Sequence, residues 1–433
     1  MIDIKRIREN PEGVAERLNT RQGGEGDRIA EVLQLDEQRR RLLTEVEELK
    51  STRNRASKEI GALMGQGRKD DAEARKSEVR DLGERISAID TQVKEIDSKR
   101  EEILLALPNP PHESVPVGRD ENDNPEIRRW GEKPEYDFQP RPHTEICESL
   151  GLIDFKRGAK LSGSGFLLYT GWGARLERAL AQFLLDLHTT EHGYTEVSPP
   201  YVIHRDCMVG VGQFPKFVDQ AYAVQEGLDG STLGSLYLLP TAEAPVANIH
   251  REEILREDEL PKYYCAFSPC FRAEAGAAGV GTRGMIRVHQ FEKVELIKVV
   301  RPEDGYEELE KMTANAEKVL QLLGLHYRVI LLCTGDMGFA SAKTYDIEVW
   351  APGQDAFLEV SSCSNCEDYQ SRRMNLRFKG AEGNVFPHLL NGSGTALARL
   401  FVALVETHQQ ADGSIRIPEP LRPYLKADVI PAP

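Results

Sequence analysis

The first hundred residues carry apolar side chains at a seven-residue spacing. From about Ile29 to Leu107 the chain is highly charged and contains no proline. Its apolar positions alternate three and four residues apart, as in a coiled-coil seam. They fall into two runs: Val32, Leu35, Leu42, Val46, Leu49, Ala56, Ile60 and Leu63, then Val79, Leu82, Ile86, Ile89, Val93, Ile96, Ile103 and Leu107. The glycine-containing segment 65–71 between them can reverse the chain. The pattern predicts an antiparallel helical hairpin with helices of roughly 35 residues, projecting about 50 Å.

The charges near the turn of this hairpin are mostly basic, although the whole chain has a formal net charge of −15. A basic tip on an acidic protein indicates contact with a phosphate backbone. The basic residues are Lys50, Arg53, Arg55, Lys58, Arg68, Lys69, Arg75 and Lys76. Periodicity alone is equally compatible with a solvated coil that only dimerises.

After Pro108-Asn109-Pro110-Pro111, which cannot continue a helix, the periodicity changes. Residues 111 to about 161 are interpreted as a linker and approach segment. Beyond them the pattern predicts helices over Arg175–Glu191 and near Tyr306–Leu323. Strands are predicted at Ser235–Leu239, Tyr263–Phe271, Met285–Val299, Tyr327–Cys333, Asp346–Trp350 and Ala356–Ser361. Strands joined mostly by turns predict a largely antiparallel sheet in an α+β domain. We therefore expect a hairpin domain over residues 1–110 and a sheet domain over residues 111–433.

Composition indicates the cellular compartment of the protein. The seven cysteines show no disulfide framework, which fits a reducing cytosol. The start, MIDIKRIREN, lacks an apolar signal core, and no apolar run reaches membrane-spanning length. We therefore expect a cytoplasmic protein without membrane contact. The acidic charge argues against general coating of nucleic acid but allows a local basic patch.

The segment from Phe271 to Leu296, FRAEAGAAGVGTRGMIRVHQFEKVEL, is the most informative about chemistry. Two strand-like stretches flank a loop rich in glycine and alanine, with Arg272, Arg283 and Arg287 at its margins. Such a loop can carry guanidinium groups to a phosphate and let a ligand approach the backbone closely. On its own the segment is equally compatible with an ordinary surface hairpin.

This segment resembles motif 2 of class II aminoacyl-tRNA synthetases in its seryl form, where FRAE opens the hairpin and HQFxKVE returns from it. Residues 192–200 (HGYTEVSPP) resemble motif 1, and residues 391–399 (NGSGTALAR) resemble motif 3. Residues 241–243 (TAE) and 359–366 (EVSSCSNC) resemble seryl-specific segments, and the hairpin and the joint LPNPPHESVPVG also match. The resemblance spans essentially the whole chain. It implies a class II catalytic domain with an antiparallel sheet flanked by helices. It also implies an enzyme that activates serine with ATP and transfers the serine to tRNA.

The resemblance also implies which residues bind ATP. Arg272 would contact the α-phosphate and the serine carboxylate, and Arg399 the γ-phosphate, which makes these two the catalytic residues. Phe291 would stack on adenine opposite Arg399, and Glu274 would accept a hydrogen bond from the adenine amino group. Glu359 and Ser362 would supply oxygen ligands to Mg²⁺. The full implied set is Arg272, Ala273, Glu274, Val288, Phe291, Glu359, Val360, Ser361, Ser362 and Arg399.

For serine, the resemblance implies Thr241, Ala242 and Glu243 on the ammonium side, Arg272 at the carboxylate, and Glu295 and Ser393 at the hydroxyl. A pocket that bonds a hydroxyl rejects alanine because its buried polar groups stay unpaired, which can cost ~10⁴-fold. Thr395 occupies a position where many seryl enzymes have an aliphatic residue. The hydroxyl contact is therefore open between Ser393 and Thr395, and so is whether the chain is a housekeeping enzyme or a duplicate with altered inhibitor tolerance.

The resemblance further implies the partners. The hairpin would bind the long variable arm of the serine tRNA, tRNA(Ser), and of the similarly shaped selenocysteine tRNA, tRNA(Sec). Motif 1 implies a homodimer. ATP with Mg²⁺ is the expected nucleotide, and no zinc is expected: Cys363 and Cys366 have C-x₂-C spacing but no second pair of ligands.

Three other interpretations stay open. A class II synthetase for threonine, proline or glycine would share the three motifs but should lack the hairpin. An amino-acid ligase that loads a carrier protein would not need a basic-tipped arm. A coiled-coil adaptor that only binds nucleotide would make the aligned Arg272, Glu274, Glu295, Glu359 and Arg399 a coincidence.

Overall fold

A computed structural model describes residues 1–224, 236–274 and 284–433, so Ser235 and Arg283 lie outside the described residues. The chain divides into two compact units. The smaller comprises Ile2–Asn19 and Gly23–Leu107, and the larger comprises Met1, Thr20–Gln22 and Pro108–Pro433. Among the described residues, no helix combines the length and the apolar composition needed to cross a membrane.

The smaller unit is helical, with α1 (Ile4–Glu9), α2 (Pro11–Asn19), α3 (Ile29–Gly65) and α4 (Lys69–Ala106). Helices α3 and α4 form the predicted antiparallel hairpin, and the prediction of its two helices and their turn is confirmed. Val46 on α3 packs between Ile86, Ile89 and Val93 on α4. The seam is apolar because side chains spaced three and four residues apart fall on one helix face.

Ion pairs also join the two antiparallel helices. They join Arg39 to Asp97 at 2.6 Å, Glu45 to Arg85 at 2.6 Å, Lys50 to Asp90 at 3.4 Å and Glu59 to Arg75 at 2.7 Å. Asp36 is fully buried and accepts from Arg100 at 2.9 Å. The buried carboxylate of Asp36 needs a cationic partner. This explains why the charged residue Arg100 occupies a position in the apolar run of α4.

The larger unit is built around an eight-stranded sheet with helices packed against it. Its helices are α5 (His143–Ser149), α6 (Phe155–Ser162), α7 (Trp172–Thr190), α8 (Arg205–Gly210), α9 (Glu243–Ala247), α10 (Gly305–Leu322), α11 (Tyr369–Met374), α12 (Leu397–Thr407) and α13 (Arg422–Leu425). Its strands are β1 (Glu126–Trp130), β2 (Thr195–Glu196), β3 (Val202–His204), β4 (Leu236–Leu238), β5 (Ile254–Arg256), β6 (Lys262–Phe271), β7 (Gln290–Val300), β8 (Tyr327–Leu331), β9 (Lys343–Ala351), β10 (Ala356–Asn365), β11 (Arg377–Gly380), β12 (Gly383–Val385), β13 (His388–Ala396), β14 (Ile415–Arg416) and β15 (Val429–Ile430).

The main sheet has the order β1-β8-β9-β10-β13-β7-β6-β2. Every neighbouring pair in it is antiparallel except β2 with β6, which is parallel. Buried side chains of α7, α10 and α12 form one apolar core with the sheet, including Leu180, Met312 and Phe401. The predicted α+β class with a largely antiparallel sheet is therefore confirmed.

Three local predictions differ from the structure. The strand predicted from Met285 begins only at Gln290. The predicted linker over 111–161 includes edge strand β1 and helices α5 and α6; β1 is charged because an edge strand needs little apolar surface. Central strand β13 was not predicted, because its Asn-Gly-Ser-Gly sequence is typical of a turn.

Candidate active site

The floor of the candidate site is one face of strand β7. Side chains alternate between the two faces of a strand. Val294 and Leu296 join the core beneath the helices. Phe291, Lys293 and Glu295 instead line a cavity of about 400 Å³ on the other face. The alternation of FEKVEL therefore directs one set of side chains to the core and the other to the cavity.

Most of the residues predicted to bind serine and ATP line this one cavity. They are Thr241, Glu243, Arg272, Glu274, Val288, Phe291, Glu295, Glu359, Val360, Ser362, Ser393 and Arg399. Ala242, Ala273 and Ser361 do not line it. Ala242 is buried in the packing behind the cavity, and the Ser361 hydroxyl donates to the Ser393 carbonyl at 2.5 Å. The Ala273 backbone N–H donates to the Gln220 carbonyl at 3.0 Å.

A bulge in β10 brings the two predicted magnesium ligands to the same face of the sheet. Glu359 pairs with Glu348 and Ser362 pairs with Asp346, so Val360 is the extra residue. Residues three apart on a regular strand point to opposite faces. The extra residue in the bulge turns Ser362 to the same face as Glu359. Asp346 lies opposite Ser362 on β9, and its pKa is raised well above its usual range by burial and by the nearby Glu359.

A second bulge, in β13, separates Ser393 from Thr395. Ser393 pairs with Glu295, which faces the cavity, whereas Thr395 pairs with Val294, which faces the core. Gly394 is the extra residue, and a Cβ at this position would lie 2.8 Å from Nε2 of His188. Only Ser393 lines the cavity, and Thr395 is fully buried behind it.

Arg272 lies at the base of the motif 2 hairpin. Its guanidinium carbon is 5.1 Å from the centroid of the Phe291 ring, and its Nε donates to the Pro240 carbonyl at 3.3 Å. Nδ1 of His289 lies 3.0 Å from the Arg272 carbonyl oxygen, so His289 stabilises the hairpin base. Glu274 pairs with Arg287 at 3.5 Å. The Arg272 guanidinium thus lies within cation–π distance of the Phe291 ring at the cavity wall.

Arg399 and Glu359 form an ion pair across the cavity margin. Nη1 of Arg399 lies 3.2 Å from Oε2 of Glu359 and 2.8 Å from its carbonyl oxygen. Nε of Arg399 donates to the Ile286 carbonyl at 3.1 Å. These three contacts hold the guanidinium at the end of α12 nearest the sheet. Arg399 and Glu359 are both partly exposed, so Arg399 is accessible to an anion and Glu359 to a cation.

The opposite end of the cavity is a buried polar cluster. The Thr241 hydroxyl donates to Oε2 of Glu295 at 2.6 Å, and Nζ of Lys293 donates to Thr241 Oγ1 at 2.9 Å. Lys293 and Glu295 also form a direct ion pair. This end can bind a small zwitterion through charge and hydrogen bonds.

The Glu243 carboxyl group is buried, and its pKa is shifted upward. Burial raises its pKa to about 7, and repulsion by Glu295 adds to the shift. The hydrogen bond from Nε2 of Gln370, at 2.7 Å, opposes it, as do Lys293 and Arg272. A carboxylate that is costly to ionise alone gains from a cationic partner such as an ammonium group.

A second cavity of about 400 Å³ adjoins the first and shares Thr241, Glu243 and Arg272 with it. Its outer wall includes Phe217 and Phe339, whose rings meet edge to face at 6.2 Å. The Thr241–Glu295 end of the first cavity is therefore continuous with the second cavity.

Several cavity residues were missed by the sequence-based prediction: Gln213, Lys293, Asn391 and Ala396. Lys293 could have been predicted from the sequence. It lies two residues from both Phe291 and Glu295, so all three side chains share one face of the strand. Gln213 and Asn391 carry no comparable local signal. Cys363 and Cys366 are buried free thiols. The described part of the chain contains no group of three or more histidine, cysteine, aspartate or glutamate side chains that could hold a metal ion.

The eight basic residues of the hairpin fall into two groups. Lys50, Arg68, Arg75 and Lys76 pair with acidic side chains of the same hairpin. Arg53, Arg55, Lys58 and Lys69 form no ion pair with any residue that the structure describes, and all but the half-buried Arg53 are exposed. The second group can offer its charge to another molecule without first breaking an internal pair.

Comparisons with known proteins match both units. A family model described as Seryl-tRNA synthetase N-terminal domain matches residues 1–111, and one described as tRNA synthetase class II core domain (G, H, P, S and T) matches residues 228–408. The serine–tRNA ligase of Carboxydothermus hydrogenoformans is 53% identical over 432 residues, covering 99% of each chain. That of Akkermansia muciniphila is 54% identical over 431 residues, again covering 99% of each. The crystal structure of seryl-tRNA synthetase from Pyrococcus horikoshii complexed with ATP aligns with a TM-score of 0.93 at 40% identity, covering 100% of both chains.

An antiparallel sheet that carries the motif 2 and motif 3 arginines into one cavity defines a class II aminoacyl-tRNA synthetase. The matches cover the full length of the chain and include the helical hairpin, so they identify one family within this class. The chain belongs to the seryl-tRNA synthetase family, whose members activate serine with ATP and transfer it to tRNA. The interpretations as another class II synthetase, a carrier-protein ligase or a nucleotide-binding adaptor are therefore wrong.

Proposed function

We propose that the first cavity binds serine and ATP side by side, with serine at the Thr241–Glu295 end and the phosphates between Arg272 and Arg399. One observation carries this proposal: Arg272, Glu295, Glu359 and Arg399 come from three separate segments (residues 271–296, 359–366 and 391–399), and all line the same cavity. The serine carboxylate attacks the α-phosphorus directly and pyrophosphate leaves. The protein supplies no nucleophile, so these residues act by positioning and by stabilising charge.

Each residue is assigned a role that its surroundings support. Arg272 bridges the serine carboxylate and the α-phosphate, since it lines both adjoining cavities. Phe291 offers its ring to adenine, and Glu274 accepts from the adenine amino group, assisted by Ala273 and Val288. Arg399 binds the γ-phosphate. Val360 and Ser361 shape the wall through the bulge and the bond to the Ser393 carbonyl.

We propose that Glu359 and Ser362 hold a magnesium ion with the ATP phosphates. The bulge in β10 places both oxygen donors on one face, and magnesium is commonly held by one or two protein oxygens together with phosphates and water. The ion would neutralise phosphate charge.

For serine, we propose that Glu243 accepts the ammonium group with Thr241, while Glu295 and Ser393 bind the side-chain hydroxyl. Ala242 positions this segment through its packing. The β13 bulge supports Ser393 over Thr395, because only Ser393 lines the cavity.

Pyrophosphate exchange tests these assignments. Exchange should depend on serine, with alanine, threonine and cysteine acting only as weak competitors. Arg272→Gln and Arg399→Gln should each lower kcat/KM by about 100-fold or more, since each removes a charged contact in the transition state. Arg256→Gln is the matched control, because Arg256 is exposed on β5 and pairs with Asp258. Exchange with threonine or alanine at the serine rate would contradict the proposal.

We propose that residues 1–110 form a tRNA-binding domain and residues 111–433 the catalytic domain. The hairpin would bind the long variable arm of tRNA(Ser), and of tRNA(Sec), through phosphates rather than bases. The unpaired Arg53, Arg55, Lys58 and Lys69 support this role. Deleting residues 29–107 should abolish aminoacylation of either tRNA while pyrophosphate exchange continues. Equal loss of both activities would contradict separate domain roles.

The second cavity supplies a route for the 3′ end of tRNA to the serine carboxyl group. It opens at Thr241, Glu243 and Arg272, and its aromatic wall of Phe217 and Phe339 suits a terminal base. Phe339→Ala should therefore slow transfer to tRNA about 10-fold and leave pyrophosphate exchange unchanged. Equal effects on both steps would assign this wall to serine or ATP instead.

We propose that the enzyme is a homodimer and works in the cytoplasm. Val197, Val202, Ile203 and Ile249 line an apolar surface groove around the motif 1 segment, and Val202 and Ile249 are about 40% exposed (40% and 42%). A second copy of the chain would cover these side chains. Light scattering should give a dimer mass, and Ile249→Asp should shift it towards a monomer. The free state of all seven thiols supports a reducing compartment.

A further inference from the structure

Lys293 is a buried cation at the serine end of the cavity. The residue is 6% exposed, and its contacts Thr241 and Glu295 are 3% and 2% exposed. A lysine ammonium group is rarely buried to this extent without a partner. Lys293 and Glu295 lie two positions apart on β7, so both side chains point to the same cavity.

The three side chains form a closed triangle of hydrogen bonds. Lys293 Nζ donates to Thr241 Oγ1 at 2.9 Å and pairs with Oε2 of Glu295. The Thr241 hydroxyl has one hydrogen, and it is donated to the same Oε2 at 2.6 Å. Lys293 and the backbone N–H of Glu243, the latter at 3.2 Å, both donate to Thr241 Oγ1 and occupy its lone pairs, which leaves its own hydrogen for Glu295.

This arrangement leaves one oxygen of Glu295 for a substrate. Oε2 receives two donors, whereas Oε1 accepts no hydrogen bond from any of the residues in the described ranges. Glu295 lines the cavity. Oε1 is therefore the oxygen of Glu295 that can accept a hydrogen bond from a molecule in the cavity.

The charges at this end also balance through Lys293. When Glu243 is ionised, Glu243 and Glu295 supply two negative charges, and Lys293 and Arg272 supply two positive ones. A zwitterionic amino acid adds no net charge to this set. Without Lys293, two carboxylates would share a buried site with a single guanidinium, which favours protonation or reorientation of one of them.

We propose that Lys293 is a specificity-determining positioning residue: through its ion pair and its bond to Thr241 it keeps Glu295 a hydrogen-bond acceptor aimed at the substrate hydroxyl. This inference rests on the proposed contact between Glu295 and serine. Serine satisfies the acceptor with its hydroxyl, and alanine leaves it unpaired. If Lys293 is removed, Glu295 can rotate or bind a proton, and the requirement for a hydroxyl weakens.

The test compares Lys293→Met with Lys293→Arg in pyrophosphate exchange. Lys293→Met should lower the ratio of kcat/KM for serine to that for alanine by about 100-fold, mainly through KM for serine, with KM for ATP changed less than about twofold. Lys293→Arg keeps the charge and should restore at least part of the ratio. A general folding defect would instead raise both KM values and would not be rescued by arginine.

A double-mutant cycle shows whether Lys293 acts through Glu295. Glu295→Gln alone should reduce the serine-to-alanine ratio, and adding Lys293→Met should change it by less than about threefold further, because the two residues form one unit. Independent, multiplying effects would overturn the inference. Binding of a non-hydrolysable seryl-adenylate relative to its alanyl counterpart gives the same comparison by calorimetry, without turnover.

The outcomes separate this inference from the proposed function. Wild-type enzyme without serine-dependent exchange contradicts the proposed function. Glu295→Gln with unchanged selectivity contradicts only the Glu295 contact and the inference that rests on it. Loss of selectivity in Glu295→Gln but not in Lys293→Met overturns the role of Lys293 alone.

Discussion

Ser393 and Thr395 are two positions apart on β13, yet their side chains lie on opposite faces of the sheet. On a regular strand both would point into the cavity. The extra residue Gly394 changes this, and it must be small because the His188 ring lies against it. One inserted glycine therefore decides which of two neighbouring hydroxyls can reach a substrate.

Substitution at the two positions should have opposite consequences. Ser393→Ala should raise KM for serine by about 10-fold, since it removes a hydrogen bond to the bound hydroxyl. Thr395→Val should leave KM unchanged, because Thr395 does not line the cavity. A comparable rise in KM for Thr395→Val would show that both hydroxyls contact serine.

Thr395→Val should also stabilise the protein. Its Oγ1 is buried and has no hydrogen-bond partner within the described ranges. Replacing an unpaired hydroxyl by a methyl group should raise the free energy of unfolding by about 1 kcal/mol. Urea denaturation of the purified variant measures this, with Ser341→Ala as a control because the Ser341 hydroxyl is bonded to the Gly338 carbonyl. The control should lose stability.

Serine binding should weaken below neutral pH. Burial raises the pKa of Glu243 to about 7, and the ionised form is the one that attracts an ammonium group. As pH falls below 7, the protonated fraction grows, so KM for serine should rise by up to about 10-fold per pH unit. Glu243→Gln should have a high KM with little pH dependence between pH 5.5 and 8. A wild-type KM that stays flat across this range contradicts the role of Glu243.

Magnesium dependence should follow Glu359. Glu359→Gln should raise the magnesium concentration needed for half-maximal exchange by about 10-fold or more, because one anionic oxygen ligand is lost. Glu348→Gln is the matched control: Glu348 pairs with Glu359 across the strands but is bonded to Arg328 at 2.5 Å. Titration of ATP affinity against magnesium distinguishes weaker metal binding from slower chemistry. An equal shift in both variants would argue against a specific ligand.

The free charges of the hairpin should govern tRNA affinity. Arg55→Ala combined with Lys58→Ala should raise KM for tRNA(Ser) by about 10-fold at low salt and reduce its salt dependence, since two phosphate contacts are lost. Lys76→Ala should have a smaller effect, because Lys76 is paired with Glu73 at 2.9 Å. Pyrophosphate exchange should be the same in all three proteins. If the Lys76 variant loses as much affinity, internal pairing does not determine which charges contact RNA.

The helical hairpin could be predicted from the sequence because its stability is local and periodic. Apolar residues at three- and four-residue steps determine which face of each helix is buried, and a glycine-containing break marks the turn. The predicted extent of about Ile29 to Leu107 matches α3 and α4 closely. Most residues of the candidate site could also be predicted from the sequence, because they lie in short motifs that occur in a fixed order along the chain.

The sequence by itself determined the fold class, the two helices of the arm and most residues that line the cavity. Only the tertiary structure decided which of them share a face. The bulges at Val360 and Gly394 depend on the partner strands, which are distant in sequence, and a shift of one residue reverses every side chain beyond it. The bond from Lys293 to Thr241 joins residues 52 positions apart. Strand register and such long-range contacts arise from packing of the whole sheet, and no local pattern encodes them.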